Sequence, residues 1–298
     1  MASTQSSRII VLHLTKFGDS SLVVHCIDSA AGRCSYLLRG AGKSSSGSSG
    51  LRKGSHVSIG SFHNLAVLNI VSVSNPRSSM AYLKEYEPAM QLTSLRSDMH
   101  KNSIALFISE LLYRTIVEQN CDERLFAWLC DAVARLEAAG IRDTQNSPVA
   151  CSLAGTPRSE SADSVILVSG NASYGSIAIG AETVGMDISA ASIANFHLWF
   201  LAGFCTVMGF GPSRTGDFDG SDLLSADNLA LLRQLSESVR ETDDSGSIQD
   251  SSFLAAMAIP LTGRRRTEFC DQMIRYISYH LGINLHIRSL DVLHELYS

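Results

Sequence analysis

Closely spaced cysteine pairs are missing from this sequence. There is no Cys-x-x-Cys, so a four-cysteine zinc site is not expected. The seven cysteines (Cys26, Cys34, Cys121, Cys130, Cys151, Cys205 and Cys270) are scattered and odd in number. That pattern reads as free thiols in a reducing cytoplasm, not as a disulfide framework. Long apolar runs are missing too. None reaches the ~18 residues that cross a bilayer, and the opening MASTQSSR has no apolar segment of the kind a secretory signal needs. A cytoplasmic chain with no membrane partner is expected. No triad order or metal-ligand spacing stands out, so no catalytic residue, cofactor or metal is assigned, and the chain is not expected to be an enzyme.

Acidic residues are scarce in one region only. Residues 1–80 hold eight bases (Arg8, Lys16, Arg33, Arg39, Lys43, Arg52, Lys53 and Arg77) against Asp19 and Asp28. The other 218 residues hold sixteen bases against twenty-seven acids, so the overall charge of −5 conceals a basic first part and an acidic remainder. Such a split points to nucleic acid or another polyanion as partner.

The 298 residues allow about two domains by length. Short runs rich in β-branched and large apolar residues cover 9–14, 21–28, 34–39, 56–62 and 65–74. They predict five strands. Five strands in so short a stretch suit a small closed barrel of the OB type, which also removes exposed edges. Asn75-Pro76-Arg77-Ser78-Ser79 punctuates a boundary, and helical periodicity takes over.

Residues 98–118 put Ile104, Phe107, Ile108, Leu111 and Leu112 on one face, with Asp98 as a cap. Residues 122–139 repeat the pattern and stop at Gly140. Residues 189–208 are apolar nearly all round and read as the centre of a bundle; 225–241, 262–281 and 289–297 complete it. The expected fold class is therefore α+β and multidomain: an N-terminal OB-type β-barrel over 1–80, then an all-α helical bundle domain over 81–298. Residues 143–190, rich in Ser, Gly and Ala, read as an insertion with a hairpin and a partly disordered start.

Between the third and fourth predicted strands runs RGAGKSSSGSSGLRK, a Gly/Ser loop with cations at both ends. Its Gly40-Ala41-Gly42-Lys43-Ser44 resembles the end of a phosphate-binding P-loop, but Leu37 stands where the first glycine belongs. The serines that follow are poor helix starters, so a nucleotide-dependent enzyme is the weakest reading. His13 and His25, flanked by apolar residues, read as structural, and His197 reads as a hydrogen-bonded core residue. Tyr36 and Phe62 are candidates for base stacking, with burial in the barrel as the competing reading. Phe107, Phe126 and Trp128 are weighed as groove residues against core packing, the default for Phe107. Gly263-Arg264-Arg265-Arg266 places three cations at a helix start, the wrong end for the helix dipole.

Several stretches together resemble the RecO family of recombination mediators. They are Lys16-Phe17-Gly18-Asp19-Ser20-Ser21 with the Gly32-Arg33 turn; Leu38-Arg39-Gly40-Ala41-Gly42-Lys43-Ser44; Lys101-Asn102-Ser103-Ile104-Ala105-Leu106-Phe107; Glu110-Leu111-Leu112-Tyr113-Arg114; Ala194-Asn195-Phe196-His197-Leu198; and the ending from Arg288 to Leu296. The resemblance implies a non-enzymatic DNA repair and homologous recombination protein. It would bind single- and double-stranded DNA, anneal strands, and help load recombinase with RecR and the acidic C-terminal tail of single-strand-binding protein. Many relatives carry a four-cysteine zinc site that this sequence lacks, and its basic loop is richer in Gly and Ser than in Lys.

The expected DNA-binding residues are Arg8, Lys16, Arg33, Arg39, Lys43, Arg52 and Lys53. The expected partner-binding residues are Arg114, Arg135, Arg264, Arg265 and Arg266. The alternative is an RNA-binding or ribosome-associated OB module.

Overall fold

The computed structural model describes residues 3–40, 59–75, 80–117, 122–140, 192–213, 218–241 and 248–297. Five strands come first: β1 (Ser3–Phe17), β2 (Ser21–Asp28), β3 (Gly32–Arg39), β4 (Val67–Ser74) and β5 (Tyr82–Pro88). They neighbour one another in the order β1-β2-β3-β5-β4, and β4 returns to the first half of β1. Most pairs are antiparallel. Between β3 and β5 a single parallel bridge, Leu37 with Tyr82, completes the ring. Gly18 and Gly32, at φ of +65° and +69°, give the two tight connections the left-handed backbone they need.

Two strand assignments differ from the sequence expectation. Within 56–62, the described residues Ile59–Ser61 form a 3-10 turn, and Phe62 packs into the barrel interior. The fifth strand is Tyr82–Pro88, beyond residue 80. Only Leu83 of that strand is buried, so its alternation is faint and Lys84, Glu85 and Glu87 disguise it.

Eight helices are described: α1 (Thr93–Ser97), α2 (Met99–Thr115), α3 (Glu123–Ala138), α4 (Phe196–Val207), α5 (Ala226–Arg240), α6 (Asp250–Met257), α7 (Gly263–Leu281) and α8 (Ser289–Tyr297). The Asp98 carboxylate accepts from the backbone N–H groups of His100 and Lys101, as its place before α2 predicts. Asp122, Ser225 and Thr262 cap α3, α5 and α7 in the same way. Every α4 residue from Phe196 to Cys205 is buried, so this helix is the bundle's centre.

α1 and α6 have no counterpart in the sequence reading. α1 is five residues long, and its N–H groups at Ser94 and Leu95 donate to Glu137 of α3, at 2.8 Å each. A cap supplied from 42 or 43 residues away leaves no local signature. Strands and helices share a core: Ile10, Leu12, Ile27, Leu65 and Val67 pack with the helical residues, while Val24, Cys26, Tyr36, Leu38 and Ile70 fill the barrel. No helix among the described residues is long and apolar enough to cross a membrane. The expected insertion over 143–190 lies outside the described residues.

Candidate nucleic-acid interface

Strand alternation builds the site. Val24 and Cys26 of β2 and Tyr36 and Leu38 of β3 point into the barrel. Ser21, Val23 and His25 of β2 and Arg33, Ser35, Leu37 and Arg39 of β3 therefore share the outer face. β1 joins it through a bulge: Val11 pairs with Cys26 but His13 pairs with His25, leaving Leu12 as the extra residue. The bulge re-aims His13. Its ring stacks beside His25, with centroids 5.9 Å apart and planes 18° from parallel. Thr15 and Phe17 continue the face, paired with Val23 and Ser21.

Arg33 and Arg39 mark the two ends of this face, six residues or about 20 Å apart along β3. Each guanidinium lies over a tyrosine ring. Arg33 is 4.4 Å from the centre of Tyr113 of α2, and Arg39 is 5.2 Å from the centre of Tyr82 of β5. Between them His25 bonds Thr15 Oγ1 through Nε2 at 3.1 Å and Ser35 Oγ through Nδ1 at 2.8 Å. Burial first, then the charges of Arg33 and His13, hold the His25 pKa below its usual value.

Among the described residues, neither Arg33, Arg39 nor Lys16 is in an ion pair. Asp28, one of the two acids in this region, is fully buried and spent internally. It accepts from Ser7 Oγ and Tyr36 Oη at 2.6 Å each and from the Ala30 N–H at 2.7 Å. Asp19, the other, is exposed in the turn between β1 and β2, so Lys16, Arg33 and Arg39 outnumber it on this side of the barrel.

The other expected DNA-binding residues divide. Lys16 is exposed in the row of Leu22 and Leu38, at the open end of the barrel next to Phe17. Arg8 lies elsewhere: its Nε donates to Asn69 Oδ1 of β4 at 3.1 Å, and its charge reaches Cys130 of α3. Lys43, Arg52 and Lys53 lie outside the described residues, in the segment that Arg39 and Gly40 lead into.

The expected partner-binding arginines do not converge. Arg135 is 6% exposed, ion-paired to Asp131 and Asp250 at 2.8 Å each, and donates to the Ile248 carbonyl. That burial removes it from any docking role and makes it a tie between α3 and α6. Arg114 is exposed but pairs with Glu110 at 2.9 Å. In α7, Arg264 is exposed, Arg265 lies 3.7 Å from both Asp227 and Glu268, and Arg266 donates to Asn195 at 3.0 Å.

Tyr36 and Phe62 are core residues, as are Phe107, Phe126 and Trp128. His197 is buried and stacks on Tyr297 at 5.2 Å, and its Nδ1 has no hydrogen-bond partner, unlike the bonded core histidine expected. Phe17, Tyr82 and Tyr113 are the face residues that pattern reading passed over. Phe17 had a visible signal, an aromatic beside a lysine in a hairpin turn. Tyr113 had none, because only packing brings α2 to β3.

No protein-family model matches the chain. Over 297 residues it is 26% identical to the DNA repair protein RecO of Bacteroides fragilis, covering 97% of both chains. Over 306 residues it is 22% identical to RecO of Christiangramia forsetii, covering 98% of both. A stretch of 131 residues, 44% of this chain and 52% of the relative, is 31% identical to RecO of Flavobacterium johnsoniae. With these near end-to-end matches set beside a five-stranded ring followed by helices, the chain is similar along nearly its whole length to RecO DNA repair proteins.

Proposed function

We propose that the chain is a DNA repair and homologous recombination protein that binds single- and double-stranded DNA on the outer face of β1, β2 and β3 and promotes strand annealing. The observation that carries this reading is the pairing of Arg33 and Arg39 on one face with no ion-paired carboxylate among the described residues. Neutralising phosphates on two strands lowers their mutual repulsion and favours annealing with no covalent step. Lys16 borders this face, and Lys43, Arg52 and Lys53, which lie outside the described residues, are the further DNA-binding cations of this reading. The barrel is the nucleic-acid-binding part. The helical part docks RecR and the acidic tail of single-strand-binding protein, with exposed Arg264 as the first contact for the tail.

Contacts to four to six phosphates give log affinity for single strands a slope of about −3 to −4 against log salt. A slope near zero rejects phosphate binding. Arg39→Ala/Lys43→Ala/Lys53→Ala is expected to abolish most annealing, and unchanged annealing rejects this site. Competition between DNA and RNA single strands of equal length separates this reading from an RNA-binding one, which predicts RNA preference through the 2′-hydroxyl.

A further inference from the structure

We infer that Phe17 is a base-stacking platform. A single strand crossing the outer face lays a nucleobase on its ring, while Arg39 and Lys16 hold the neighbouring phosphates. This deepens the DNA-binding reading and rests on it.

Phe17 is 60% exposed, more than any other aromatic residue described as exposed, and it packs into neither core. A single exposed apolar residue means little by itself. Its row gives it meaning. Phe17 pairs with Ser21, and Ser21 pairs with Arg39, so the three side chains stand abreast on adjoining strands. Two strand spacings put Phe17 about 10 Å from Arg39. The residue between them is a small serine, so the ring and the guanidinium flank a short side chain.

On the far side the Arg39 guanidinium lies over the Tyr82 ring, an attraction that favours one placement of the charge. Lys16, in the adjoining row at the end of β1, is exposed and is not ion-paired among the described residues. Beyond Phe17 the chain turns at Gly18, where an added Cβ would meet nothing within 4 Å, so the approach is open. Tyr36 and Phe62, the stackers weighed from the sequence, are buried in the barrel and excluded. A ring stacks on any base, so this platform serves binding without sequence preference, as annealing requires.

The test compares oligo-dT with an abasic deoxyribose-phosphate oligomer of equal length and charge at one salt concentration, by fluorescence anisotropy. The wild type is expected to bind oligo-dT about tenfold tighter. Phe17→Ala is expected to lose that preference and keep its affinity for the abasic oligomer, with an unchanged melting temperature because the side chain is exposed. Phe17→Trp is expected to keep the preference and to show emission quenched by oligo-dT but not by the abasic oligomer. Trp128 and Trp199 are buried and provide a steady background. A preference that survives in Phe17→Ala overturns the inference. Equal, salt-dependent binding of both oligomers by the wild type also overturns it while leaving the DNA-binding reading intact. Salt-independent or absent binding of both oligomers overturns the two together.

Discussion

The guanidinium of Arg33 sits 4.4 Å from the centre of the Tyr113 ring, joining a barrel strand to the second helix. His13 and His25 approach the same ring at 5.3 and 5.4 Å. The proposed binding face is therefore braced against the bundle at one end and reaches the hairpin tip at the other.

This contact predicts a measurable coupling. Arg33→Ala, Tyr113→Ala and the double variant, unfolded in urea, are expected to give an interaction energy of about 0.5–1 kcal/mol. Strictly additive losses would show that ring and guanidinium are neighbours without attraction.

Arg135 and Arg264 provide a contrast between tie and surface. Arg135→Met strands the Ile248 carbonyl and leaves Asp131 and Asp250 without their partner. Asp250 is half-exposed, so the cost falls below that of a fully buried pair, on the order of 2–3 kcal/mol. Arg264→Ala is expected to change stability by less than about 0.5 kcal/mol. Equal losses from the two in chemical denaturation would contradict the assigned burial.

Gly203 lies inside α4 where Trp128 crosses it. A Cβ there would come within 2.5 Å of Trp128 Cζ2 and 3.2 Å of Val239 Cγ2. Gly203→Ala is expected to destabilise by about 1–3 kcal/mol through overpacking, despite the better helix propensity of alanine. A raised melting temperature would mean that the indole shifts without cost.

Glu110 and His197 both contribute to the response to acid. Burial alone would raise the Glu110 pKa. Hydrogen bonds from the Ser289 N–H and hydroxyl, the Arg288 N–H and Arg114 outweigh it and hold the carboxyl below its usual value. Its stabilisation is present above the ordinary carboxylate pKa and is lost as pH falls through the lowered one. The stability gap between wild type and Glu110→Gln is thus expected to be constant above about pH 5 and to shrink below about pH 4.

His197 acts in a higher window. Burial, then Arg266 and His294, push its pKa down to about 3. Below the usual histidine value of about 6.5 the unfolded chain takes a proton that the native state refuses, so stability falls by up to about 1.4 kcal/mol per pH unit. His197→Gln is expected to flatten that slope between about pH 6 and 4. An unchanged slope in pH-dependent unfolding would assign it to other groups.

The legible parts of the fold share one property: their signals are local. The apolar stripes of α2 and α3, the Asp98 cap and the runs of β2 and β3 each lie within a few residues. The misplaced fifth strand shows the reverse case. Tyr82–Pro88 buries only Leu83, and hydropathy cannot find a strand that hardly uses it. The five-residue α1 depends on Glu137, so its sequence shows neither length nor cap.

By itself the sequence determined the charge asymmetry between its first 80 residues and the rest. Arg33, read from sequence as part of a turn, falls inside β3 (Gly32–Arg39), and side-chain alternation with a period of two then puts it on one side with Arg39. Only tertiary structure decided which cations stay in solvent and what surrounds them. The bulge at Leu12 turns His13 onto the face, α2 delivers Tyr113, β5 delivers Tyr82, and Asp250 draws Arg135 inside from 115 residues away. Those outcomes depend on contacts between distant segments, which no local period encodes.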